Sequence, residues 1–394
     1  MHQLIRNVSG LVLLAMVGTV LTACPFCSMQ GQTLTGEVQT VGMVLFGTLK
    51  NARLAPGGDG LAGTTELHVE EVIKDHDVRK GAKVLTLNRY IPPDKERNYK
   101  YLIYCDVFMG KVDPYRGVAV LPDSRAAAYL SGSLKLKDAP VAERLKYFFG
   151  WLDDKDIEVS NDAYKEFANA DYKDFRPMAA SLPASKVAGW LKDPSTPGFR
   201  LGLYASILGH CGQKPDAALL ASLLDNSDKR LSTGYDGILA AYTMLDKDAG
   251  LKRVMGLLSD PKGDFLLRYA GLRAVRFFHD YRLDLVSAQD CSKAVALLLS
   301  HSDIADMAIE DLRRWKAWDL SDAVLAVRQS ESGKVSIVRR AVWRFALSCP
   351  TPAAKALVVQ LRKEDKQGVE DAEELLKLEE VKPSAVPPPA PLKP

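Results

Sequence analysis

Two cysteines near the start of the chain are the residues whose spacing most directly suggests chemistry. Cys24-Pro25-Phe26-Cys27 places two thiols at the C-x-x-C spacing, in which a thiolate of lowered pKa at a helix N-terminus can exchange disulfides. No strand pattern precedes the motif to support such a helix. We therefore expect this pair to anchor structure, with thiol–disulfide exchange and metal binding as alternatives.

The residues before Cys24 have the pattern of an export signal. Arg6 precedes an uncharged run at residues 8–23 that is rich in Leu and Val and too short to cross a bilayer. The run ends in Leu21-Thr22-Ala23-Cys24, which resembles a bacterial lipobox. We predict a signal peptide at residues 1–23 and a lipid on the Cys24 thiol that holds the chain at the membrane. Plain secretion after cleavage at Ala23 stays open as the alternative.

Export places the cysteines in a compartment where disulfides persist. If Cys24 is acylated, Cys27 and Cys105 are the natural pair in the N-terminal part of the chain. If Cys24 is free, it competes with Cys27 for the same partner or joins it. The remaining cysteines lie among apolar residues of helical pattern, where small buried thiols are expected; they are Cys211, Cys291 and Cys349.

Other catalytic patterns are absent from the sequence. It contains no H-E-x-x-H, G-x-S-x-G, P-loop or EF-hand motif. His210 and Cys211 are adjacent, so on a helix they point about 100° apart and form a poor metal pair. We expect no enzyme activity, no cofactor and no metal site.

Composition and charge exclude further classes of partner. The 394 residues carry 52 Lys and Arg against 49 Asp and Glu, a formal net charge of +3. Such a balance gives no electrostatic reason to expect nucleic acid as a partner. With 47% apolar residues, the chain is typical of a globular protein of two or three domains.

The region 24–137 has the period of β-strands. Five short apolar or alternating runs are separated by Gly, Pro and Asp turns; they lie at residues 41–49, 64–73, 83–87, 100–107 and 117–121. Five strands in about 90 residues are typical of a small closed or partly open barrel. The predicted fold class is therefore multidomain α+β, with an N-terminal β-barrel followed by an all-α region.

From residue 138 to 380, apolar residues recur at spacings of three and four, which predicts paired helices. The first helix of each pair ends in a large apolar pair of residues, whose second members are Leu152, Leu191, Leu224, Leu258 and Leu299. Their intervals of 39, 33, 34 and 41 residues indicate six or seven repeats of an α-solenoid. Residues 381–394 are Pro-rich and predict a disordered tail.

Arginines recur near the start of the second helix in each pair. A concave face lined by them is a candidate surface for an acidic protein or glycan partner; they are Arg200, Arg268, Arg273, Arg276, Arg339, Arg340 and Arg344. The alternative, favoured by the near-neutral net charge, is that they pair with acidic residues of neighbouring repeats. The acidic candidates are Asp303, Asp306, Glu310 and Asp311.

Three resemblances add to these patterns. Cys24, VLFGTL, ELHVEEVIK and YLIYCDV resemble a netrin-like module, which implies an OB-type barrel. FLLRYAGLRAVRFF and SIVRRAVWRFALSCP are similar to the basic inner helices of HEAT repeats. Together with CPFC and SNDAYKEFANADYKDF, the chain resembles a family of uncharacterised exported proteins of planctomycete bacteria, which implies no activity.

The sequence therefore predicts a non-enzymatic, exported, lipid-anchored envelope protein whose solenoid surface binds a protein partner. Two hypotheses from other classes remain. One is a thiol–disulfide protein that uses Cys24 and Cys27. The other is a netrin-like metalloprotease inhibitor, which would need the free amine of Cys24 to chelate the protease zinc.

Overall fold

The computed structural model describes residues 25–27, 29–57, 62–92, 94 and 96–380, so the predicted signal peptide, Cys24 and the predicted tail lie outside it. The N-terminal part is a five-stranded antiparallel sheet, as the alternating runs predict. Its strands are β1 (Met43–Leu54), β2 (Gly63–Lys74), β3 (Val84–Leu87), β4 (Lys100–Phe108) and β5 (Lys111–Val120).

The sheet has the order β3-β2-β1-β4-β5 and is open. The predicted barrel is not confirmed, because the two edge strands, β3 and β5, do not pair. Two features of the edges agree with this: β3 has only four residues, and β5 contains Pro114 opposite an irregularity in β4. Proline lacks the N–H that a further ladder would need, so it is typical of edge strands.

Successive side chains of β1 point to opposite faces of the sheet. Because consecutive residues of β1 are apolar, both faces of the sheet are apolar. Val44 and Phe46 join the core that the sheet shares with the helices. Met43 and Leu45 belong to a second, smaller core. Residues of both edge strands pack against that second core, including Leu85 of β3 and Val112 of β5, so the open sheet curls around it.

The rest of the described chain is helical. The helices are α1 (Leu34–Thr40), α2 (Ala126–Lys135), α3 (Val141–Phe149), α4 (Ile157–Ala168), α5 (Tyr172–Ala179), α6 (Ala184–Lys192), α7 (Gly198–Cys211), α8 (Asp216–Leu224), α9 (Tyr235–Leu245), α10 (Lys247–Ser259), α11 (Phe265–Tyr281), α12 (Ala288–Ala296), α13 (Ala305–Arg314), α14 (Ser321–Ala326), α15 (Ser336–Ser348), α16 (Pro352–Glu364) and α17 (Lys366–Glu380). None of the described helices is long and apolar enough to cross a membrane.

From α3 onward the helices alternate as the repeat spacing predicts. The first helices of the pairs are α3, α6, α8, α10, α12 and α14, and the second helices are α4, α7, α9, α11, α13 and α15. A terminal pair, α16 and α17, follows them. The longer first interval of 39 residues contains an extra helix, α5, which the repeat pattern does not predict.

The second helices α7 and α9 lie side by side and run in the same direction, and α7 is also connected to α4. Near the start of α7, Arg200 bonds to Ser160 and Asn161 near the start of α4. In α7 and α9, Gly202 and Gly237 bring the two backbones into contact: a Cβ on Gly237 would lie 2.6 Å from the Gly202 carbonyl oxygen. The small residues of the repeats thus permit close packing of neighbouring pairs.

Two of the leucines that end the predicted first helices, Leu152 and Leu224, also mark contacts between pairs. The carbonyl oxygens near the ends of first helices lack helical partners and need other donors. The Tyr204 hydroxyl donates to Leu152 O at 3.0 Å, and Arg253 Nη2 donates to Leu224 O at 3.0 Å. In each case the donor belongs to the next pair, so these bonds connect the pairs in series.

We expect Gly237→Ala to lower the free energy of unfolding by about 2–4 kcal/mol, because the added methyl group forces α7 and α9 apart. Gly256→Ala in α10 is the matched control, since a Cβ there meets no atom within 4 Å. The control should raise stability by about 0.5–1 kcal/mol through helix propensity. Chemical denaturation measures both; equal effects of the two substitutions would contradict the close packing.

Candidate functional site: the N-terminal strap

The residues that follow Cys24 cross the second helices in an extended segment, which we call the N-terminal strap (residues 25–33, with residue 28 outside the described part). Phe26 is 4% exposed and lies in the core shared by sheet and helices. Its ring centroid is 4.9 Å from that of Phe277 in α11. A Cβ on Gly202 would lie 2.8 Å from the Phe26 carbonyl oxygen, so the strap contacts the α7 backbone directly.

Arg273 of α11 holds the beginning of the strap. Its Nη2 donates to the Pro25 carbonyl oxygen at 2.6 Å, and its Nε lies 2.8 Å from Asp236 Oδ2. Asp236 is the second residue of α9 and is buried. Burial raises the pKa of this carboxyl above its usual value, although the Arg273 charge acts in the opposite direction. Pro25 is thus bound by an arginine of α11 that is itself paired with α9.

Asn169 holds the other end of the strap. This residue caps the C-terminus of α4. Its Nδ2 donates to Gly31 O at 2.8 Å, and its Oδ1 accepts from Gly31 N at 3.2 Å. Gly31 has a φ of 127°, a backbone conformation that favours glycine. The Asn169 side chain thereby satisfies the backbone N–H and C=O of Gly31, as a neighbouring strand would.

Asp162 of α4 binds the first backbone N–H groups of α1. Its carboxylate accepts the backbone N–H groups of Leu34 at 2.5 Å and Thr35 at 3.3 Å, and the Tyr129 hydroxyl at 2.9 Å. Burial raises the pKa of Asp162 to about 6, and the nearby Glu166 adds to the rise, whereas the bonds from Leu34 and Tyr129 oppose it. A carboxylate at this position also meets the positive end of the α1 dipole.

Most arginines of the predicted surface bond to other groups of the same chain. Arg268 Nη2 bonds to Asp303 at 2.6 Å, Arg276 Nε to Asp311 at 2.6 Å, and Arg344 Nε to Glu310 at 2.5 Å. Arg200 is buried and bonds to the Leu152 carbonyl oxygen, and Arg273 holds the strap. These contacts follow the alternative in which the guanidinium groups connect neighbouring helices.

Arg339 and Arg340 differ from the other predicted surface residues. Both are exposed on α15, and no described acidic side chain forms an ion pair with either of them. Asp306, expected as a partner for an arginine, has no such pair among the described residues. The free basic surface on the second helices is therefore smaller than the sequence predicts.

The cysteines are divided between the two cores. Cys27 is half-buried and packs on the core shared by sheet and helices, whereas Cys105 faces the second core inside the curled sheet. Cys27 is disulfide-bonded, but Cys105 is a free thiol, so the predicted Cys27–Cys105 pair is not formed. The strap carries Cys27 toward the helices and away from β4. Burial raises the pKa of Cys105 to about 12.

Two further thiols share the free state and the raised pKa of Cys105. Cys211 and Cys291 are also free, and burial raises their pKa to about 11 and about 12 respectively. His210, beside Cys211, bonds to Ser206 O at 2.7 Å, and burial lowers its pKa to about 4. Among the described residues, no group of three His, Cys, Asp or Glu could hold a metal ion.

A cleft of about 540 Å³ lies beside the start of α4. Its charged groups pair with one another: Arg125 bonds to Asp154, and Lys186 lies 3.2 Å from Asp153. The Ser124 hydroxyl in this cleft accepts the N–H of Ala126. The cleft therefore does not bring a nucleophile together with a base.

Sequence reasoning did not identify Asp162, Asn169 or Asp236. One signal was present, because Asp162, Glu166 and Asn169 lie at spacings of four and three along the segment SNDAYKEFANADYKDF. Such spacing places them on one face of α4. They lie next to its buried apolar residues, so a polar stripe there indicates a partner segment that brings backbone donors.

We expect Asp162 to make stability depend on pH. The folded chain keeps this carboxyl protonated up to a pKa of about 6, above the usual 3.8. Its contribution is therefore full below about pH 4 and falls by up to about 3 kcal/mol as the pH rises through 6. Asp162→Asn should remove this loss. Urea unfolding of the wild-type chain and of the variant from pH 4 to 7 measures the pH dependence of the free energy of unfolding. Parallel pH profiles of the two would contradict the role of Asp162.

No protein family model, curated protein or solved structure matches this chain. Its function is therefore argued from the strap, the helices and the exposed surface themselves.

Proposed function

We propose that the chain is an exported, non-enzymatic envelope protein, tethered by a lipid on Cys24, that presents its helical array to a protein partner. The observation that carries this proposal is the fixed position of Pro25. Arg273, which is paired with Asp236, bonds to the carbonyl oxygen of Pro25, the residue that follows the proposed lipobox cysteine. A tether at Cys24 would therefore hold the helical array itself and would not end in a loose leader.

The burial of the strap argues against the netrin-like inhibitor. A netrin-like inhibitor must project its first residues into a protease cleft, whereas Pro25 and Phe26 are held against α7 and α11.

The finer fold assignments belong to the same proposal. The parallel second helices, their small-residue contacts and the carbonyl bonds between successive pairs support a HEAT-like solenoid. The second core enclosed by the curled sheet supports an OB-like module whose closing ladder is missing. On this view a protein partner meets surfaces that the strap leaves uncovered, including the exposed Arg339 and Arg340 on α15.

We expect the N-terminal peptide of the chain, isolated from membranes, to begin at Cys24 and to carry a diacylglyceryl group on its thiol. Intact-mass analysis of that peptide measures it directly. The matched variant is Cys24→Ser, which removes the acceptor thiol and should leave the chain outside the acylated membrane fraction. An unmodified Cys24 in the wild-type peptide would overturn the tether.

A further inference from the structure

The cleft beside the start of α4 lies where three parts of the chain meet. It is lined by the segment between β5 and α2, by the loop that connects α3 to α4, and by Lys186 of α6. Its volume is about 540 Å³, within the range of roughly 300–1,000 Å³ that is typical of ligand pockets. The cleft is therefore large enough to receive a side chain of another molecule.

Two ion pairs hold four of the charges in this cleft in place. The Arg125 guanidinium bonds to Asp154. Lys186 Nζ lies 3.2 Å from Asp153 Oδ2 and 5.0 Å from the centre of the Trp190 ring. Trp190 Nε1 also donates to Asp153 Oδ2 at 3.1 Å. These four charges neutralise one another and give an incoming ligand no net attraction.

Three further charges line the cleft outside these pairs. Lys155 and Asp123 are exposed, and neither forms an ion pair with a described residue. Their opposite charges balance. The third is Asp156, which is only 3% exposed. The lining therefore has one negative charge in excess, and the buried carboxylate is that of Asp156.

Asp156 has one carboxylate oxygen without a partner. Its Oδ1 accepts the N–H of Glu158 at 3.0 Å and caps α4, whereas its Oδ2 is buried and has no hydrogen-bond partner among the described residues. Both oxygens of Asp154, by contrast, accept bonds, from the Asp156 N–H and from Arg125. A buried carboxylate oxygen without a donor is costly, because it loses water and gains no bond in return. Asp156 thus points to a donor that a ligand brings.

The single free oxygen favours one kind of cation. A guanidinium binds a carboxylate best through two parallel bonds to both of its oxygens, but Oδ1 of Asp156 is already used by the helix cap. An ammonium is a compact charge that needs only one acceptor. A lysine side chain therefore fits this site better than an arginine side chain does.

We propose that the cleft receives a lysine side chain of the protein partner, whose ammonium donates to Asp156 Oδ2. This inference rests on the proposed function, because it names the chemistry by which the helical array recognises its partner. No described residue of the N-terminal strap lines the cleft, so the docked strap leaves it open.

The test titrates the full chain with three tripeptides that differ only in the central residue: acetyl-Gly-Lys-Gly-amide and its arginine and glutamine counterparts. Isothermal titration calorimetry at low ionic strength should show the lysine peptide binding at least about threefold more tightly than the arginine peptide and at least about tenfold more tightly than the glutamine peptide. Equal affinities for the lysine and glutamine peptides would overturn the inference, and so would tighter binding of the arginine peptide.

Asp156→Asn should weaken binding of the lysine peptide at least about tenfold, because asparagine keeps an oxygen to cap α4 but puts an NH₂ donor in place of the free oxygen. The control is Asp264→Asn. Asp264 is exposed and caps α11 through the N–H of Leu266, outside the cleft, so this variant should bind the peptide as the wild type does. Unchanged affinity in Asp156→Asn, or an equal loss in both variants, would contradict the role of Asp156. The mass of the Cys24 peptide tests the tether separately.

Discussion

The close approach of α7 and α9, which Gly202 and Gly237 permit, is the constraint on which the other features depend. Backbone contact at these residues keeps the two helices parallel and side by side. Arg200 connects α7 to α4, and Arg276 connects α11 to α13, because their guanidinium groups bond to the neighbouring helix. The second helices are thus joined to one another. The strap crosses these joined helices.

The strap makes the sheet and the helices parts of one hydrophobic core. Phe26 packs on α11, Asp162 receives the first amides of α1, and α1 leads directly into the central strand β1. The polar contacts are specific because each satisfies a backbone group that an extended segment or a helix start leaves without a partner. A buried carboxylate whose pKa rises to about 6 is the cost of that arrangement. The N-terminal residues therefore contribute to the fold itself, which is the basis for interpreting a tether at Cys24 as an oriented one.

Much of the local structure could be predicted from the sequence, because it depends on neighbours along the chain. Apolar or alternating runs predict strands that overlap all five observed ones, although β5 begins at Lys111, well before the predicted 117–121. The recurring apolar pairs, from Leu152 to Leu299, predict paired helices. What could not be predicted depends on distant residues. Helix α1 is short and contains Gly36, and Asp162, 128 positions away from Leu34, receives its first amide. The predicted closed or partly open barrel is not confirmed, because the sheet is open and pairing between its edge strands, β3 and β5, depends on the curvature of the whole sheet. The arginines were identified, but their partners, such as the Pro25 carbonyl oxygen 248 positions from Arg273, were not all predictable.

The central claim is that the N-terminal strap is an integral part of the helical core, on which the proposed oriented tether at Cys24 rests. Its most direct test is the free energy of unfolding of Phe26→Ala, measured by chemical denaturation beside Phe108→Ala, because Phe108 is 61% exposed at a hairpin end of the sheet. A buried phenylalanine that meets α7 and α11 should cost about 3–5 kcal/mol when truncated, and the exposed one less than about 0.5 kcal/mol. If Phe26→Ala were as neutral as Phe108→Ala, the strap would not belong to the core, and the oriented tether would lose its support.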